Sequence, residues 1–116
     1  MSKPRPALSN ETVKQLTRCY NKINKEIYGF GVTQLKVAAD EGIISFYVKH
    51  QRVTALKALE ARYEILKQAV DHALHTEFKL RLRKRLEETF GLKAAAILRD
   101  YDPATEWAVT VVITDN

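Results

Sequence analysis

The densest set of chemically capable side chains is Lys79-Leu80-Arg81-Leu82-Arg83-Lys84-Arg85. A helix that meets phosphate oxygens needs such cations on one face. Helical geometry groups Arg81 with Arg85, sends Lys79 and Arg83 elsewhere, and leaves Lys84 between. The cations flank the apolar row Phe78, Leu82, Leu86, Phe90, as the snorkelling stems of a sheet-packing helix do. Glu77, Glu87 and Glu88 supply counter-charge nearby. The run therefore reads as a solvated face. The alternative is an anion or nucleic-acid contact through Lys79, Arg81, Arg83, Lys84 and Arg85, with anionic lipid as a further partner.

The remaining candidates are weaker. His72 and His75 lie three apart on a helix and reach one point, but the adjacent turns offer only Gln68, a weak ligand, and Lys79, a repelling one. His50 stands at a strand end without an evident partner. Cys19 flanks the apolar stripe of the first helix and reads as an inert, buried thiol. Gly29-Phe30-Gly31 looks like a phosphate cradle, yet it leaves a helix and enters a strand, the reverse of such loops. No catalytic, cofactor-binding or metal-binding residue is assigned.

These residues must be positioned by elements that occur twice. An amphipathic helix runs into Tyr28-Gly29-Phe30-Gly31, followed by strands over 32–39 and 43–49 around Asp40-Glu41-Gly42. Later a helix over 83–89 runs into Phe90-Gly91, followed by strands over 92–99 and 106–114 around Asp102-Pro103-Ala104-Thr105. The first helix, capped by Ser9 or Asn10, carries Val13, Leu16, Tyr20, Ile23 and Ile27 as one stripe. Period-two alternation predicts Leu35, Val37, Phe46, Val48, Val109 and Val111 as inward, with Leu16, Ile23, Ile27, Leu82 and Leu86 opposite them. The small-residue face of the last strand, Ala108, Thr110, Val112 and Thr114, reads as a tolerant solvent face, with partial cover as the alternative.

Residues 54–89 contain neither glycine nor proline, and as one helix would span about 50 Å. Leu56, Leu59, Tyr63, Leu66, Val70 and Leu74 hold one face, after which strict intervals of four drift about 40° per step. Either the helix breaks near His75-Thr76-Glu77, or its halves pack on different surfaces. Leu59, Tyr63, Leu66 and Val70 are then left for self-association, with folding back onto the domain as the alternative.

Composition bounds the rest. At 13.3 kDa, residues 9–116 make a single domain behind a flexible segment over 1–8 that holds two of the three prolines, Pro4 and Pro6. One cysteine excludes an internal disulfide and suits a reducing compartment. There is no signal-peptide pattern and no apolar run long enough for a membrane span, so the expected location is cytoplasmic. The formal charge of +5 attracts phosphates without defining a site.

The run Ile27-Tyr28-Gly29-Phe30-Gly31-Val32, the strand over 43–49, the charged helix closing on Glu87-Glu88-Thr89-Phe90-Gly91-Leu92, and the terminal strand over 108–115 resemble the bacterial MpsC family. This family of small domains is named for a sodium-translocating, membrane-potential-generating system. The resemblance covers residues 10–115. Where relatives commonly have Gly-Arg-Gly-Pro, this chain has Gly29-Phe30-Gly31-Val32, which removes any anion or partner contact that the arginine makes. The resemblance implies a cytoplasmic accessory protein of a membrane ion or inorganic-carbon transport system, and brings no catalytic or cofactor residues.

The expectation is an α+β domain: tandem helix-strand-strand units form one four-stranded, mainly antiparallel sheet packed on one face by helices, with a long central helix. The expected function is a non-enzymatic accessory or interaction protein, a homodimer or bound to another protein, with peripheral association to a membrane complex. A basic nucleic-acid-binding module is the alternative, and a small enzyme ranks third.

Overall fold

In a computed structural model, which describes residues 8–51 and 53–115, both repeats fold as helix-strand-strand. The first comprises α1 (Asn10–Tyr28), β1 (Gln34–Asp40) and β2 (Ile43–Lys49). A short α2 (Thr54–Leu59) leads to the second, α3 (Glu64–Phe90), β3 (Ala94–Asp102) and β4 (Trp107–Thr114). The flexible segment expected over 1–8 lies, apart from Leu8, outside the described residues.

The helix ends follow local chemistry. Ser9 accepts the Thr12 amide and caps α1. Gly29 and Gly91 end the two long helices in the left-handed region, at φ 86° and 64°. These matched caps make the repeats correspond. After Gly29 the loop is tied to α1: Asn21 Oδ1 accepts the Val32 amide at 2.9 Å, and Asn24 Nδ2 donates to the Phe30 carbonyl at 3.0 Å.

The sheet runs β1-β2-β4-β3, antiparallel throughout. Glu41 and Gly42, both at positive φ, close the first hairpin as a two-residue turn whose twist matches the strands. One face carries the core: Leu16, Tyr20 and Ile23 from α1 and Phe78, Leu82 and Leu86 from α3 meet Ile44, Phe46, Val48, Ile97 and Val112.

Two expectations are corrected. On β4 the buried face is Ala108, Thr110 and Val112, while Val109 and Val111 turn to the other side. The cause is crowding: the large Tyr20 and Phe78 rings lie under the sheet centre and require small residues opposite. The Tyr20 hydroxyl also meets Thr110 Oγ1 at 2.7 Å, giving each buried hydroxyl its partner. The helix break lies over 60–63, between α2 and α3, rather than near His75-Thr76-Glu77; α3 runs unbroken through those residues. With 27 residues, α3 is about 40 Å long, against about 24–30 Å for strands of seven to nine residues. It is the longest element of a molecule measuring 52 × 25 × 24 Å.

Candidate functional site

The residues with the most constrained chemistry gather around Arg99, which no periodicity singled out. Its position on the core face of β3 carries the guanidinium inward, 4.3 Å from the ring centre of Phe78 and 5.5 Å from that of Tyr28. One nitrogen donates to the Tyr28 hydroxyl at 2.9 Å and to His75 Nδ1 at 3.0 Å. The other lies 3.4 Å from His50 Nε2, and Nε is buried without a partner among the described residues. Four separate elements or their ends converge here: the last residue of α1, the residue after β2, the middle of α3, and β3.

The guanidinium only donates, so it fixes the histidine tautomers. His75 must accept through Nδ1 and carry its proton on Nε2. His50 donates Nδ1–H to the Gln51 carbonyl at 2.9 Å and turns its acceptor nitrogen to Arg99. Burial and the neighbouring Arg99 charge push His75 down to about 4, only partly opposed by Asp71 and Asp100. His50 is lowered as well, chiefly by burial. Burial raises the Tyr28 hydroxyl, although the Arg99 charge pulls against it.

The rings form a continuous stack, with centres 5.1 Å apart for Tyr28 and His50 and 4.6 Å for His50 and Tyr101. This stack walls a cavity of about 210 Å³ between α2, the first half of α3 and the β3–β4 turn. Leu56, Leu74 and Pro103 supply apolar walls, and Lys67 and Asp71, 3.4 Å apart, supply charge.

The basic run behaves differently from a phosphate-binding face. Arg81 and Arg85 both reach Glu26 on α1, and Arg81 also pairs with Glu77 at 3.0 Å. The Arg85 hydrogen bond holds Glu26 below its ordinary carboxylate range. Arg83 donates to the Ala94 carbonyl, beside the register shift at the start of β3. Three of the five cations thus join α3 to α1 or β3, and the remaining two, Lys79 and Lys84, lie about 140° apart around the helix and do not share a face with each other.

Of the self-association candidates, Tyr63 and Leu66 are exposed, whereas Leu59 and Val70 are half-buried, Leu59 on the separate α2. Ile65, unmarked by the sequence pattern, is 85% exposed beside them. Cys19 is half-buried, and burial raises its thiol above the ordinary value. His72 is exposed while His75 turns to Arg99, and among the described residues no three His, Cys, Asp or Glu side chains cluster to hold a metal. No described helix is long and apolar enough to cross a membrane.

No family model matches the chain, and neither a curated protein nor a solved structure matches it.

Proposed function

We propose that this protein is a non-enzymatic accessory protein that acts by contact with other proteins, in the cytoplasm and at a membrane ion or inorganic-carbon transport system. The observation that carries the non-enzymatic reading is the occupation of the acceptor nitrogens of His50 and His75 by Arg99, which leaves only the exposed His72 outside the cluster. A general base or a metal-binding histidine needs a free nitrogen lone pair. Here His50 has neither nitrogen free, and His75 retains only a donor. The Cys19 thiol, raised by burial, is a poor nucleophile.

What is left open is apolar surface. Tyr63, just before α3, and Ile65 and Leu66 in its first turn are exposed, as are Ile43, Tyr47, Leu98, Trp107 and Ile113 on the outer face of the sheet. Such patches mark contacts with other chains, a second copy included. The resemblance to the MpsC family supplies the transport context. Nucleic-acid binding has less support, because Arg81, Arg83 and Arg85 are engaged within the fold.

The test is genetic. A host strain lacking the gene should lose sodium or bicarbonate uptake, with restoration by wild type and by His75→Gln but not by Leu66→Glu. Unchanged uptake in the deletion strain would remove the transport role. Fluorescence anisotropy with duplex DNA and RNA at two salt concentrations checks the alternative: a steep salt slope would revive it.

A further inference from the structure

We infer that the outer face of the sheet is closed by a second copy of the same chain, in a face-to-face, two-fold dimer. This deepens the interaction reading above by assigning its self-association to the sheet rather than to α3.

The strand register lays out the open face as rows across β1-β2-β4-β3. One row is Lys36, Tyr47, Val109, Asp100; the next is Ala38, Ser45, Val111, Leu98. Beyond them lie Asp40, Ile43, Ile113, Ala96 on one side and Gln34, Lys49, Trp107, Asp102 on the other. The two helices that touch the sheet, α1 and α3, pack on the opposite face, so this one carries Leu98 at 58%, Tyr47 at 45% and Trp107 at 42% exposure. An antiparallel sheet with one face in water normally places polar residues there. Here the two central strands place mainly Ile, Val, Tyr and Trp there.

The charges make the occupant specific. Lys36 lies at the β1 edge, while Asp100 and Asp102 lie at the β3 edge. A two-fold axis parallel to the strands, between β2 and β4, lays β1 of one copy over β3 of the other with the rows in register. Lys36 then meets the second copy's Asp100, twice per dimer. The same operation sets Tyr47 over Val109, Ile43 over Ile113, and small Ala38 over large Leu98. A two-fold axis across the strands would instead set Lys36 over Ala38 and Asp100 over Leu98, burying the charges of the central rows on apolar side chains. The axis parallel to the strands confines such contacts to the strand ends, Lys49 over Trp107 and Asp40 over Ala96. Sheets stacked in this way sit about 10 Å apart with strands within about 30°, which keeps these pairs within reach. Four strands of seven residues present roughly 19 × 24 Å, enough to bury on the order of 1,200 Å² in total, the lower end of stable interfaces.

The chain contains one tryptophan, and Trp107 is on this face, so emission reports closure directly. Light scattering and tryptophan emission should be followed from about 1 to about 200 µM. The wild type should double in mass as its emission shifts to the blue. Lys36→Glu should raise the dissociation constant at least tenfold, Asp100→Lys likewise, and the double exchange should restore it, since like charges across an interface are costly. These positions are exposed strand sites, and circular dichroism confirms that each variant folds. A wild type monomeric at 200 µM overturns the sheet dimer while leaving the accessory role to its uptake test. A dimer dissolved by Leu66→Glu but indifferent to Lys36→Glu overturns it in favour of α3. Singles that weaken the dimer without rescue in the double exchange overturn the Lys36–Asp100 pairing and with it the proposed axis.

Discussion

Arg99 decides where protons sit on its neighbours. In the unfolded chain His75 takes up a proton near its ordinary 6.5, and in the folded chain only near 4. Between these values the unfolded chain binds more protons, so stability is full above about 6.5 and falls as pH drops towards 4. His50 acts in the same direction. The His75 share should be roughly 1–2 kcal/mol, because water still reaches part of the ring. Urea unfolding near pH 7 and near pH 4.5 should show a smaller acid loss for His75→Gln than for wild type; equal losses would contradict the assignment. A second residue-scale test concerns Tyr20 and Thr110, whose hydroxyls are each other's only partner among the described residues. Tyr20→Phe or Thr110→Val alone strands one buried hydroxyl, at about 1–3 kcal/mol. The double variant should cost clearly less than the sum, which a double-mutant cycle measures. None of this clustering was legible in the sequence. Tyr28, His50, His75 and Arg99 are separated by many residues, and only the fold brings them together.

At the scale of elements the sequence was more informative. The repeat of helix, aromatic-Gly and strand pair marked both units, because a helix C-cap needs a left-handed residue at Gly29 and Gly91. At Gly91 a Cβ would meet nothing within 4 Å, so Gly91→Ala tests the backbone alone. Its expected cost is about 1 kcal/mol, read as a lower thermal midpoint; an unchanged midpoint would contradict the cap. Two features escaped. The face of β4 could not be read from alternation, since both faces are apolar enough, and the Tyr20 and Phe78 rings from two other elements decide which is buried. The break over 60–63 has no glycine or proline, so no local breaker announced it. Leu56 is buried while Tyr63 and Leu66 are exposed, so the nearly constant apolar face read over these residues serves two different surroundings. The role of the basic run in binding α3 to α1 through Glu26 depends on a residue more than fifty positions away, which no local pattern marks.

For the whole molecule, one-sided packing is the governing feature. Both helices that touch the sheet, α1 and α3, lie on one face of it, which leaves the other face and the first turns of α3 available to other chains. A sheet-face dimer would consume the first surface and leave two copies of Tyr63, Ile65 and Leu66 for a different protein. The most direct measurement of the accessory role is photocrosslinking in the native host from a benzoyl-phenylalanine placed at position 66. A crosslink to a subunit of a membrane ion or inorganic-carbon transporter, lost when the same probe is placed at exposed Lys14, is the predicted result. No crosslink from position 66 to any such subunit, in cells where the protein is expressed and folded, would contradict the account.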